Sequence, residues 1–152
     1  MSLRLQDAGV PTPDVVGYAL YPAGRGFCRC DVMTQRLPEG ADFPVAWQAG
    51  KAEERVALLV AVSVLLRDLR AVGAQHADLN AKNLYVSRGA GQWRAWVLDV
   101  DRVRFKRVND PSVGVQNLAR LDRSLRKRRE RNALEISDME LSRLAELVEA
   151  GA

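Results

Sequence analysis

Near its middle the chain reads His76-Ala-Asp-Leu-Asn-Ala-Lys-Asn83, and a second stretch, Val97-Leu-Asp-Val-Asp101, follows after a predicted hairpin. In the first stretch, a carboxylate at Asp78 and an amide at Asn83 flank a tight loop, and in the second Asp99 closes a predicted strand. Oxygen ligands of this kind suit Mg²⁺ that carries nucleotide phosphates, because Mg²⁺ keeps several waters and takes few carboxylates from the protein. The two stretches therefore predict a site for phosphoryl transfer.

The order and spacing match the catalytic-loop and metal-binding signatures of kinases, H-x-D-L-x-x-x-N followed by two apolar residues and Asp. The match makes Asp78 the candidate catalytic base, which accepts the proton of the substrate hydroxyl, and Asn83 and Asp99 the candidate Mg²⁺ ligands. We expect His76 to orient the loop backbone. Asp78, His76 and Asn80 are together the candidate catalytic residues. The alternative is that these side chains only cap turns, but it must explain four matched positions in order.

The same residues resemble a known family. The catalytic loop 76–84, the strand end 98–102 and the later segment Asn117–Leu125 look like the bacterial lipopolysaccharide kinases, most of all the kinases of 3-deoxy-D-manno-octulosonic acid (Kdo). Upstream, Ala8–Pro13 and Asp31–Pro38 resemble the segments of that family before and at the hinge between the two lobes. The resemblance therefore extends over most of the chain.

This resemblance implies an α+β, protein-kinase-like fold, built mainly of the helical C-terminal lobe with a remnant β-hairpin of the N-terminal lobe. Residues 1–38 would form the N-lobe remnant and hinge, and residues 39–152 the C-lobe. Backbone groups near Arg36 and Leu37 would receive the adenine of ATP, and Asp101 would support the metal site. The implied reaction transfers the γ-phosphate of ATP, with Mg²⁺, to a hydroxyl of Kdo on a lipid A precursor at the cytoplasmic face of the inner membrane.

Three parts of a complete kinase are not found in the sequence: the glycine-rich loop over the phosphates, the strand lysine and the helix glutamate that pairs with it. Gly24-Arg-Gly26 is too short and follows the region where the lysine strand should lie. We therefore expect a truncated chain, with weak or absent catalysis by these residues alone, because phosphate positioning supplies a large electrostatic contribution.

Composition excludes several other classes of protein. The chain has 152 residues, 47% of them hydrophobic and 28% charged, with a net charge of +4, which predicts a single globular domain. No apolar run approaches the roughly 18 residues of a membrane helix. Cys28 and Cys30 are too close in sequence to form a disulfide, so we expect free, buried thiols in a cytoplasmic protein.

Hydrophobic periodicity predicts the main elements. Two strand-like runs, Val15–Tyr21 and Phe27–Arg36, form a hairpin, and Trp93–Val100 forms a later strand. Helical spacing of apolar residues covers Ala52–Ala71 and Val113–Arg129. A last helix follows Ser137, which with Glu140 forms a capping box.

Basic residues indicate an anionic partner. Arg102, Arg104 and Lys106 alternate just beyond the predicted metal site, so in an extended segment they face the same way and would bind the anionic acceptor. The basic helix 120–131 is expected to dock on anionic lipid, although a solvated charged face is also open. Nucleic acid is disfavoured, because no aromatic residues interleave with these charges.

Two other functions stay open at this point. An aminoglycoside- or choline-type phosphotransferase shares the Asp, Asn, Asp pattern, but it would favour an acidic pocket for its cationic acceptor. The other is a non-catalytic kinase remnant that binds nucleotide, lipopolysaccharide precursor or a partner without turnover.

Overall fold

The computed structural model describes residues 1–150, which combine five α-helices with short antiparallel sheets. The helices are α1 (Ser2–Asp7), α2 (Phe43–Ala49), α3 (Ala52–Ala71), α4 (Pro111–Glu130) and α5 (Asp138–Glu149). The strands are β1 (Val15–Pro22), β2 (Cys28–Thr34), β3 (Gly40–Asp42), β4 (Ala74–His76), β5 (Leu84–Gly89), β6 (Gln92–Val97) and β7 (Val103–Phe105). No helix among residues 1–150 is long and apolar enough to cross a membrane.

The predicted elements form close to their expected bounds. The hairpin of β1 and β2 is antiparallel, α3 covers the predicted range, and Ser137 and Glu140 make the predicted capping box of α5. Strand β6 ends at Val97, earlier than predicted, because Asp99 adopts a left-handed backbone conformation with φ +53° that breaks the strand.

Helix α3 is the centre of the core. Its apolar side chains Leu58, Val62, Leu66 and Leu69 are fully buried, and the helix packs against α4, α5 and β6. Burial of each such side chain contributes about 1.5–3 kcal/mol to folding. This helix thus fixes the positions of the sheet and of α4, which together carry the candidate site.

The N-terminal residues join the same core. Leu5 of α1 and Val10 are buried with the α3 cluster, and the Val97 N–H donates to the Pro11 carbonyl at 2.9 Å. The division into an N-lobe remnant (1–38) and a C-lobe (39–152) stays a prediction; α1 itself is anchored on the larger part.

The β1–β2 hairpin stands apart from this core. Every residue of β2 is exposed, and large apolar side chains on the hairpin, such as Tyr18 and Phe27, are 64% and 75% exposed. The expectation that Cys28 and Cys30 are buried is therefore wrong; both thiols are free and exposed. The reason is that no other layer of residues 1–150 covers either face of the hairpin at β2.

Strands β4 and β7 pair beside the candidate site. Gly73 precedes β4 and allows the backbone there to lie close to the residues that follow β7. Gly73 has φ +70°, and a Cβ added there would lie 2.5 Å from the Arg107 carbonyl oxygen and 2.6 Å from that of Lys106. A side chain at this position must therefore both adopt a left-handed conformation and displace backbone.

We expect Gly73→Ala to lower the free energy of unfolding by at least about 1–2 kcal/mol, the cost of a left-handed alanine alone. Urea unfolding followed by circular dichroism measures the change. Gly89→Ala is the matched control, because nothing lies within 4 Å of a Cβ at Gly89. Equal stability of the two variants would contradict this account of Gly73.

Candidate active site

The candidate catalytic loop leaves β4 and exposes Asp78. The Asp78 side chain is exposed, whereas Leu79 and Ala81 beside it are buried and anchor the loop. A 3₁₀ turn over Ala81–Asn83 then leads into β5. The loop thus presents one carboxylate to solvent from a backbone that is held from both sides.

His76 connects the two predicted stretches. Its ring is fully buried, its Nδ1 accepts a hydrogen bond from the Asp78 N–H at 3.2 Å, and its Nε2 lies 3.2 Å from the Leu98 carbonyl oxygen. Because Nδ1 accepts, the ring proton is on Nε2, which donates to Leu98. A neutral imidazole therefore joins the backbone of the candidate base to the residue before Asp99.

Asn80 and Asn83 both hold the loop backbone. The Nδ2 groups of Asn80 and Asn83 donate to the Asp78 carbonyl oxygen at 3.1 and 2.9 Å. The Asn80 Oδ1 also accepts from the Lys82 N–H at 2.9 Å, so both ends of Asn80 are used inside the loop and its role is positional. Since the amide nitrogen of Asn83 donates to the loop, its Oδ1 is the atom left to bind a cation.

Asp99 stands next to Asn83 at the end of β6. The Leu98 N–H donates to the Asn83 carbonyl at 2.8 Å, which brings the two candidate ligands together. Asp101 beside Asp99 raises the pKa of the Asp99 carboxyl by favouring its protonated, hydrogen-bonding form, and the negative charge of Asp78 adds to this rise. Three carboxylates thus crowd one exposed corner, and a cation there would relieve their repulsion.

The donor set fits Mg²⁺ that arrives with a nucleotide. Residues 1–150 contain no group of three or more His, Cys, Asp or Glu side chains arranged to hold a metal by themselves. Mg²⁺ does not need one, since it binds through one or two carboxylates together with substrate phosphates and waters. Asn83 and Asp99 would supply the protein ligands, and Asp101 would act on Asp99 from beside it.

Helix α4 supports the loop through side chains to which the sequence analysis gave no role in the loop. Buried Asn117 accepts from the His76 N–H at 3.0 Å and donates to the Ala74 carbonyl at 2.9 Å. Arg120 Nε donates to the Ala77 carbonyl at 2.9 Å, and Ser124 Oγ accepts from the Ala81 N–H at 3.1 Å. The helix therefore clamps the catalytic loop at three points.

The predicted hinge lies between β2 and β3. Arg36 is exposed and Leu37 half-buried, in a segment without regular structure. The Tyr85 hydroxyl donates to the Pro38 carbonyl at 3.0 Å, which ties this segment to β5. The backbone groups of Arg36 and Leu37 make no hydrogen bond within residues 1–150, so they are available to a ligand.

The predicted acceptor-binding residues lie in and around β7, outside the catalytic loop. Arg102 ends a 3₁₀ turn, Arg104 lies in β7 and Lys106 follows it, so the extended segment is shorter than predicted, although all three side chains are exposed. None of them lines the cavity of about 300 Å³ that contains Asp78. A larger cavity of about 770 Å³ between α3 and β6 contains none of the candidate catalytic residues.

Comparisons with known proteins match most of the chain to one family of kinases. The model of the lipopolysaccharide kinase (Kdo/WaaP) family matches residues 3–147. A protein named 3-deoxy-D-manno-octulosonic acid kinase from Pasteurella multocida (strain Pm70) is 28% identical over 137 residues, which are 90% of this chain and 55% of that protein. A protein of the same name from Vibrio vulnificus (strain YJ016) is 27% identical over 142 residues, 93% of this chain and 56% of that one.

A solved structure shows the fold. The structure titled "WaaP in complex with acyl carrier protein" superposes with a TM-score of 0.73 and 20% sequence identity, covering 97% of this chain and 63% of that one. The α+β, kinase-like fold expected from the sequence is thereby confirmed. The chain spans about half the length of the curated relatives it matches.

Proposed function

The chain belongs to the lipopolysaccharide kinase (Kdo/WaaP) family, and on that basis we propose that it transfers the γ-phosphate of ATP to a hydroxyl of Kdo on a lipid A precursor. The observation that carries this proposal is the connection through His76 between Asp78 and the backbone next to Asp99. This connection would hold the candidate base beside the two candidate metal ligands, which is the arrangement that phosphoryl transfer requires.

In this proposal each residue has one task. Asp78 accepts the proton of the acceptor hydroxyl as that oxygen attacks the γ-phosphorus, and the bond from the γ-phosphorus to the bridging oxygen of ADP breaks. Asn83 and Asp99 would hold Mg²⁺, which when bound offsets the charge of the phosphates. Backbone groups of Arg36 and Leu37 would receive the adenine.

The electrostatics of the site favour an anionic acceptor. Asp78 shares its cavity with Arg120, Arg123 and Lys127, which would repel the cationic acceptors of aminoglycoside- or choline-type enzymes. A lipid A precursor is also a membrane lipid, so the proposal places the reaction at the cytoplasmic face of the inner membrane, where the basic helix 120–131 would meet anionic head groups.

A transfer assay tests the proposal. The chain is incubated with ATP labelled at the γ-phosphate, MgCl₂ and a Kdo-bearing lipid A precursor, and label in the lipid is counted after extraction. We expect label to enter the lipid slowly, because no glycine-rich loop or strand lysine was found to position the phosphates, and we expect it to be lost when EDTA replaces MgCl₂. Binding of ATP without any transfer would contradict the proposal and identify the chain as a kinase remnant that only binds.

A further inference from the structure

Basic residues of α4 lie beside the candidate base Asp78. The cavity that contains Asp78 is also lined by Arg120, Arg123 and Lys127. A second depression of about 400 Å³ shares Asn80, Ser124 and Lys127 with the first, so the two adjoin. We call the cations along both the anion groove: Lys82, Arg120, Arg123, Lys127, Arg128 and Arg131.

The other cations of α4 are already neutralised. Arg126 binds Asp122 at 2.8 Å and Asp138 at 2.7 Å, and Arg129 binds Asp138 at 3.0 Å. In agreement, Arg129 and then Arg126 hold the pKa of the Asp138 carboxyl below its ordinary value. No ion pair within residues 1–150 involves a cation of the anion groove. Arg120, Arg123 and Lys127 of this helix line the cavity that contains Asp78, and Arg123 and Lys127 also border a further depression that contains Asp122 and Glu130.

The chemistry of the groove specifies its ligand. Three of the six cations line the cavity that contains the exposed Asp78 carboxylate, and the other three line the adjoining depression. Such cations bind phosphate or carboxylate groups, and guanidinium groups bind them through paired hydrogen bonds. No aromatic side chain lines either depression, which disfavours a nucleic acid base as the ligand. Asp78 lines the same cavity as Arg120, Arg123 and Lys127. A saccharide whose anionic groups bind these cations would therefore have a hydroxyl close to Asp78, the candidate base.

We propose that the anion groove binds the phosphate or carboxylate groups of the acceptor saccharide, with Arg123 and Lys127 as the main contacts, and so orients the acceptor hydroxyl toward Asp78. This inference rests on the proposed function for the hydroxyl transfer, but the binding itself does not. It assigns acceptor recognition to α4, whereas the sequence pattern had pointed to Arg102, Arg104 and Lys106.

The binding test uses a water-soluble probe, a glucosamine disaccharide that carries two phosphate groups and no acyl chains, titrated calorimetrically into the full chain without ATP. We expect the double variant Arg123→Glu, Lys127→Glu to bind the probe at least about tenfold more weakly, since two charge-assisted contacts are lost. Arg143→Glu on α5 is the control with the same charge reversal, and it should bind normally because Arg143 is exposed and pairs only with Glu146. The disaccharide without phosphates should not bind.

Three results would overturn the inference: no binding of the probe by the unchanged chain, equal binding by the double variant, or a loss of binding in Arg104→Glu instead. Binding to vesicles that contain phosphatidylglycerol distinguishes the other source of anionic groups, the head groups of a membrane. If the chain binds them but not the soluble probe, the groove is a membrane surface and not an acceptor site.

The transfer assay separates this inference from the proposed function. If the probe binds through Arg123 and Lys127 but no phosphate is transferred, the proposed function alone is wrong. If phosphate is transferred and the double variant keeps the acceptor KM, the groove alone is wrong. The inference expects this KM to rise at least about tenfold because the two side chains bind the acceptor, and kcat to fall as well because they orient its hydroxyl.

Discussion

Replacement of Asp78 by Asn is expected to lower the rate of phosphate transfer about 10²- to 10⁴-fold, which is the usual contribution of a general base. The amide has the size of the carboxylate but cannot accept the proton of the acceptor hydroxyl. The loop itself should not change, because it is held through the Asp78 backbone N–H and carbonyl and not through its side chain. Affinity for ATP with Mg²⁺ should therefore be close to that of the unchanged chain.

The matched control is Asp7→Asn, the same chemical change at an exposed position of α1. Rates of label transfer at saturating ATP, with thermal unfolding as a check on folding, compare the two variants. Transfer that survives in Asp78→Asn would show that another group accepts the proton and that the assignment of the base is wrong.

Replacement of Asn117 by Leu is expected to lower the free energy of unfolding by about 2–5 kcal/mol. The His76 N–H and the Ala74 carbonyl would lose their buried partners, and each unsatisfied buried polar group costs about 1–3 kcal/mol. Leu is close to Asn in size but cannot donate or accept a hydrogen bond, so both backbone groups would stay unsatisfied. The loop that carries Asp78 should loosen in parallel.

Urea unfolding measures the stability, and hydrogen exchange of the Asp78 amide, which donates to His76, reports on the loop. Ala119→Leu provides the control, since it adds the same residue at an exposed position of the same helix. A change in stability within about 0.5 kcal/mol of the control, the range of ordinary surface substitutions, would contradict a clamping role for Asn117.

Local patterns predicted most of the fold and the centre of the site. The long helix α3 has a strong helical periodicity of apolar residues. Residues 76–83 form one short loop, so residues that are close in sequence are also close in space. The end of β6 was missed because a left-handed Asp99 does not follow from residue type alone.

The support from α4 depends on contacts between residues about forty positions apart, which a local pattern cannot provide. One signal was present: Asn117 lies on the line of apolar residues Val113, Leu121 and Leu125, spaced by four. A polar side chain on a buried helix face usually satisfies backbone groups of a neighbouring element, as Asn117 does here.

Solvent exposure and charge pairing also required the structure. Cysteine is a residue type that is usually buried, so burial of Cys28 and Cys30 was expected from the sequence. Nothing within residues 1–150 covers strand β2, which carries both. Likewise, the sequence shows a dense basic helix, whereas the structure shows that Asp138 pairs with Arg126 and Arg129. No ion pair within residues 1–150 involves Arg123 or Lys127.

We propose that Asn83 and Asp99 hold the Mg²⁺ of a nucleotide beside Asp78, and calorimetric titration of the chain with ATP is the measurement that checks this claim. We predict binding that requires Mg²⁺ and that weakens by about 100-fold or more in Asp99→Asn, while Asp7→Asn binds normally. Binding of equal strength in EDTA, or binding that survives in Asp99→Asn, would contradict the claim.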